Sequence, residues 1–78
     1  MTADAMEAVY DLRGLKCPLP VLKTRRRLKD IRPGEELVIQ TNDPLAGIDI
    51  PHFCREAGHE LLQSEKTADG HRFRIRKG

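Results

Sequence analysis

The chain has 78 residues, 38% of them apolar and 33% charged, with 14 Lys and Arg against 12 Asp and Glu. A domain this short buries only about 60–65% of its unfolded surface, so the core is small and these residues leave no room for a second domain, although the apolar content is that of a folded chain rather than a disordered one. A net charge of +2 with one Tyr, two Phe and no Trp does not single out a nucleic-acid partner, two cysteines are too few for a disulfide scaffold, and no apolar run approaches the roughly 20 residues of a membrane span.

Residues 1–78 read as a single domain, with residues 1–6 a flexible N-terminal segment. The opening MTADAMEAVY has neither a charged n-region nor an apolar h-region, so it does not read as a signal peptide. The expectation is a cytoplasmic protein whose thiols start free. Glu7 to Leu12 suits a short strand with Val9 and Leu12 toward a core. Gly14 breaks that strand into a loop. Pro18 suits the first position of a helix, where its missing N–H costs nothing, and Pro20 is tolerated in the same first turn. This helix should run to about Asp30, with Val21, Thr24, Arg25 and Leu28 on one side and Lys23, Arg26, Arg27 and Asp30 facing away.

Arg32 to Glu35 is a turn, and Glu36 to Thr41 is an apolar, β-rich run that reads as a buried strand. Asn42-Asp43-Pro44 punctuates the chain, with Asp43 as a cap. Asp49 reads as a second cap, for a helix from Ile50 to Ala57 whose Ile50, Phe53, Cys54 and Ala57 form one apolar face. Gly58 supplies its stop. Glu60 to Lys66 and His71 to Arg76 bracket Ala68-Asp69-Gly70, a hairpin signal. In the last strand Phe73 and Ile75 alternate with Arg72, Arg74 and Arg76, giving one buried and one wet face. The order βαβαββ implies a two-layer α/β sandwich: one mixed four-stranded sheet with two helices on one face.

The chemistry concentrates at Cys17. With Pro18 opening the helix, Cys17 stands at the N-cap, beside unpaired N–H groups and the positive dipole end. Lys16 and Arg13 add positive charge. All of these favour a reactive thiolate; the ordinary alternative is a loop cysteine that fills space. Cys54, on an apolar helix face, reads as a small buried hydrophobe. The cysteines form no CxxC pair, and with three scattered histidines no metal-ligand spacing appears. His52, His59 and His71 read as surface or structural residues, His59 near the end of the second helix and His71 near the hairpin.

The ordered set DLRGLKCPLPVLK, RPGEELVI, NDP, DIPHFC, GHELL and FRIRKG resembles the TusA (SirA-like) sulfur-carrier family, from about residue 9 to 78. The most specific element is Cys-Pro-x-Pro preceded by Gly-Leu-x. The resemblance implies the βαβαββ sandwich, and a function. Cys17 would accept a sulfane sulfur as a persulfide and relay it to a partner protein, as a sulfurtransferase without a cofactor beyond the covalent sulfur in transit. Gly14, Pro18 and Pro20 match the motif, and Asp11 a family acidic position. The implied partners are a cysteine desulfurase or other persulfide donor protein and a downstream sulfur acceptor. Leu19 stands where members serving tRNA thiolation often carry an acid, which leaves tRNA thiolation as one among several sulfur-trafficking routes.

Two further classes compete. Lys16, Lys23, Arg26 and Arg27 read either as a solvated surface or as a docking face for an acidic partner near Cys17. A small regulatory or nucleic-acid-binding module would use the basic helix and the β-strand arginines, but the low net charge and the lack of a base-stacking platform weigh against direct nucleic-acid binding. A thiol redox protein would need Cys17 and Cys54 to meet, without the help of a CxxC motif.

Overall fold

The computed structural model describes residues 9–78. The segment expected over residues 1–6, and the first two residues of the expected opening strand, lie outside them. Within the described residues the elements are β1 (Val9–Asp11), α1 (Leu19–Leu28), β2 (Glu36–Thr41), α2 (Ala46–Ala57), β3 (Glu60–Lys66) and β4 (His71–Arg76). The sheet order is β1-β2-β4-β3. β1 and β2 are parallel, which requires the crossover that α1 supplies, while β4 runs antiparallel to both β2 and β3. One core cluster joins Leu28 of α1 and Ile50, Phe53 and Cys54 of α2 to Leu37, Ile39, Phe73 and Ile75 of the sheet. Both helices therefore cover the same face, and the fold is the expected two-layer sandwich.

Strand β2 falls on the apolar, β-rich run and strands β3 and β4 on the two runs that bracket the Asp-Gly turn, and the Thr67 N–H closes the hairpin on the Gly70 carbonyl at 2.8 Å. Phe73 and Ile75 are fully buried. On the opposite face Val38 is only 3% exposed, between its register neighbours Val9 and Arg74. A register shift interrupts the β3–β4 pairing between Leu61 and Gln63.

Three local expectations are corrected. Tyr10, not Val9, packs on the core with Leu12, because strand parity puts residues 10 and 12 on one face. Helix α1 begins at Leu19, not Pro18, and ends at Leu28. The Cys17–Pro18 peptide is cis and the Leu19 N–H bonds the Lys16 carbonyl at 2.8 Å, so Pro18 sits in a turn of the type VI kind ahead of the helix. Pro20 then occupies the first turn, where no N–H is needed. Helix α2 begins at Ala46 rather than Ile50. The Asp43 side chain accepts from the Leu45 N–H at 3.2 Å and its main-chain carbonyl from the Ala46 N–H at 3.0 Å, which starts the helix early. Asp49 is therefore a first-turn residue, not a cap, and Pro51 lies inside the helix. Of the expected apolar face, Ile50, Phe53 and Cys54 are buried and Ala57 is exposed. Gly58 closes the helix at φ +80°.

Candidate functional site

The site is assembled where two loops on the same side of the sheet meet. β1 delivers the chain to Leu12, whose N–H bonds the Gln40 carbonyl at 2.7 Å. The loop then turns through Gly14 at φ +91°, a conformation that a side chain would disfavour. Its course is fixed from the β2–α2 loop. The Gly14 N–H donates to Asn42 Oδ1 at 2.8 Å, and the Cys17 N–H donates to Asp43 Oδ2 at 2.5 Å. Sequence reasoning gave Asp43 only a capping role and Asn42 none. The signal was the NDP stretch itself, whose short side-chain acceptors suit orphan loop donors.

Asp11 and Arg13 form a closed unit beside this loop. Arg13 donates through Nε to Asp11 Oδ1 at 2.9 Å and through Nη2 to Oδ2 at 3.0 Å. The side-chain bond to Arg13 holds the Asp11 carboxyl down to about 2. Arg13 is thereby committed to Asp11, with Asp69 at 4.0 Å.

Cys17 is exposed at one end of an open groove of about 360 Å³ between α1 and α2. Pro18, Val21 and Arg25 form one wall; Asp49, His52 and Glu56 form the other. The expectation of a thiolate stabilised at an N-cap is corrected. The Cys17 thiol is pushed up from its ordinary value by a hydrogen bond to the Asp49 side chain, then by desolvation, then by the charges of Asp49 and Asp43. The carboxylates nearest to the sulfur explain the reversal, because they disfavour a second negative charge.

The other sequence-derived candidates separate clearly. Lys16, Lys23 and Arg26 are exposed. Arg27 does not simply face away: its guanidinium lies 4.4 Å from the Tyr10 ring centroid. Arg25, placed on the inner side by the helical wheel, is exposed and lies 5.7 Å from the Phe53 ring. Cys54 is 2% exposed and its thiol is pushed up to about 11 by burial, the behaviour of an inert core residue. His52 is exposed. The His59 main-chain N–H bonds the Cys54 carbonyl at 2.9 Å at the end of α2, and its ring packs 5.6 Å from Phe53 and accepts from the Gly78 N–H at 3.1 Å, tying down the C-terminal residues. His71 stacks on Phe73 at 5.7 Å. Among the described residues no group of three or more His, Cys, Asp or Glu could hold a metal ion, and no helix is long and apolar enough to cross a membrane.

A family model described as "Sulfurtransferase TusA" matches residues 8–77. The chain belongs to the TusA family. The match takes in the whole two-loop site, from Asp11 through Asp49, and the βαβαββ order carries the sandwich that the resemblance implies. TusA membership gives the chain a place in sulfur carriage, a relay that works between donor and acceptor proteins.

Proposed function

We propose that Cys17 is the sulfur-accepting residue of a sulfurtransferase that works as a persulfide relay. The observation that carries this reading is the placement of Cys17. It is the exposed cysteine of the two, its backbone is tied to Asp43, and it opens the Cys-Pro-Leu-Pro stretch ahead of α1. In loading, Cys17 Sγ attacks the terminal sulfur of a donor cysteine persulfide. A new S–S bond forms at Cys17, the donor's S–S bond breaks, and the donor leaves as a thiol carrying the proton that Cys17 gives up. No external oxidant or reductant is consumed, and no cofactor is required beyond the sulfur in transit. In unloading, an acceptor thiolate attacks the terminal sulfur and Cys17 is regenerated.

The groove beside Cys17 is open, which suits a protein surface better than an enclosed small substrate. The donor we assign is a cysteine desulfurase or another persulfide-bearing protein, met in the cytoplasm, and the acceptor is a downstream protein of a sulfur-trafficking route such as tRNA thiolation. Gly14, Pro18 and Pro20 shape the loop, and Asp11 holds Arg13 against it. Lys16, Lys23 and Arg26 offer an exposed basic surface near the sulfur for docking. Direct nucleic-acid binding through β4 has less support, because Arg74 and Arg76 face Glu36 and Glu60 at 2.9 and 3.6 Å.

Intact-mass spectrometry after incubation with a cysteine desulfurase and cysteine tests the proposal. Wild type and Cys54→Ser should gain one sulfur that a reductant removes; Cys17→Ser should gain none. Sulfur on Cys17→Ser, or none on wild type from that donor, thiosulfate or a rhodanese persulfide, would overturn it.

A further inference from the structure

The helical layer gathers exposed apolar surface at the end where Cys17 stands. Of the five large apolar side chains exposed among the described residues, Val9 is on the marginal strand β1. The other four are Leu19, Leu22, Leu45 and Ile48, at 42, 46, 50 and 68% exposure. Leu19 and Leu22 belong to the first turns of α1, and Leu45 and Ile48 to the start of α2. Helix spacing makes them neighbours of the groove. Leu22 follows Pro18 by one turn, and Leu45 and Ile48 precede Asp49 and His52 by one turn; Pro18, Asp49 and His52 line the groove with Cys17. The residues that the two helices bury, such as Thr24 and Leu28 in α1 and Ile50 and Cys54 in α2, fall on the other side of each helix. Single exposed apolar side chains are ordinary, but a cluster of four around one open groove marks an interaction surface. Cations surround the cluster. Lys16, Lys23, Arg26 and Arg55 are exposed, and among the described residues none of them is in an ion pair.

We propose that Leu19, Leu22, Leu45 and Ile48 form an apolar collar on which the sulfur donor seats. The donor is then a protein whose persulfide stands on a protruding segment, set in an apolar surface rimmed with acidic side chains. The inference rests on Cys17 being the sulfur acceptor. The chemistry of the occupant follows from the collar. An apolar centre within a polar rim is the anatomy of a protein–protein interface, and a rim of unpaired cations is complemented by acids. A second copy of this chain, paired face to face, would set those cations against one another. A lipid surface is flat, whereas Cys17 stands in a groove that a protruding segment can enter, and Asp49 and Glu56 on its wall would face anionic headgroups. The seating has a use. Apolar contacts around the two sulfurs exclude water from them, as the ring around a hot spot does.

Binding to an immobilised cysteine desulfurase, followed by biolayer interferometry, reads the collar without any sulfur transfer. Wild type is compared with two collar variants, Leu45→Ser/Ile48→Ser and Leu19→Ser/Leu22→Ser. Two half-exposed aliphatic side chains offer about as much contact as one whole side chain, so each pair should weaken binding about tenfold. The deficit should persist at about 1 M salt, where the Debye length is about 3 Å and charge contacts are screened. Buried Cys54 reports folding: a variant that alkylates there has opened, and the other pair is then read. Wild-type affinity in the folded variants, a deficit that vanishes at high salt, or no binding of wild type would overturn the proposal.

The second measurement follows sulfur loading of Cys17 by intact mass, from persulfide-loaded desulfurase and from glutathione persulfide. The collar variants should need about tenfold more desulfurase for half-maximal loading and should load from glutathione persulfide as wild type does. Equal slowing from both sources would overturn the proposal, because the substitutions would then act on the thiol itself. Flotation with phosphatidylglycerol vesicles and sedimentation velocity of the protein alone test the other occupants. Vesicle binding or dimerisation that the collar variants abolish, with desulfurase affinity unchanged, would overturn it too. If desulfurase binding weakens as expected but no sulfur reaches wild-type Cys17 from either source, the relay reading fails and the collar stands as a docking surface for that protein.

Discussion

Replacing Asp43 with alanine should cost this domain a large share of its stability through main-chain donors alone. The carboxylate is 8% exposed and serves two of them, Cys17 N–H and Leu45 N–H. Losing the acceptor at the start of α2 should cost about 1 kcal/mol, the usual value for a helix-initiating cap. The bond to Cys17 has a charged acceptor, worth about 1.5–3 kcal/mol; the low end applies because water can reach the part-exposed loop. Together the loss is about 2–3 kcal/mol, against a total of about 4–12 kcal/mol for a chain of this length. At about 4–8 °C per kcal/mol, the thermal midpoint followed by far-ultraviolet circular dichroism should fall by about 10–20 °C. Asp43→Asn keeps one acceptor oxygen and should lose about half as much. Hydrogen exchange at the Cys17 amide should accelerate in step. A midpoint within about 4 °C of wild type, or an equally protected Cys17 amide, would refute the idea that Asp43 fastens the cysteine loop.

Three further outcomes are expected. A Cβ on Gly70 would overlap the Thr41 carbonyl oxygen and come within 2.6 Å of Asn42 Cα, so Gly70→Ala should destabilise by about 1–3 kcal/mol in urea unfolding, as overpacking does. Burial, and then the charge of Lys77, lowers the His59 imidazole from its ordinary value. The unfolded chain therefore takes up its proton first as pH falls below about 6.5; wild type should lose urea resistance between neutral pH and pH 5.5, and His59→Gln should show a shallower decline. Reversing Lys23 and Arg26 to Glu should slow sulfur loading from a protein donor in dilute salt, converging with wild type at about 1 M salt, where the Debye length is about 3 Å, and should leave Cys17 alkylation unchanged; an unaltered loading rate in dilute salt would remove these residues from docking.

The parts of the fold that were legible in the sequence are those whose signals are local. β2 follows from its apolar, β-rich run, β3 and β4 from the Asp-Gly turn between them with β4 also showing alternation, and the stop of α2 follows from Gly58. The starts of both helices were misplaced, for different reasons. Pro18, read as a first helical residue, sits before its helix, and Asp49, read as a cap, lies in the first turn of a helix that Asp43 already starts at Ala46. Cys17 was legible as the residue of interest, but the character of its thiol was not. The local neighbours Lys16 and Arg13 suggested a stabilised thiolate, whereas the deciding groups, Asp43 and Asp49, lie 26 and 32 residues further along the chain and meet the sulfur only through the fold. Arg13 dropped out of the local argument because Asp11, two residues before it, had already engaged it.

The interruption of β3–β4 pairing at Leu61/Gln63 bears on how the molecule avoids the wrong company. β3 is the outermost strand on its side of the sheet, seven residues long, and a regular strand of that length would offer a template for another chain to add to. The bulge breaks the row of unpaired main-chain groups, and Glu60, Glu65 and Lys66, all exposed, charge what is left of it. With this margin blunted, strand addition along β3 is discouraged, and a visiting protein is turned toward the helical layer, where the sulfur stands.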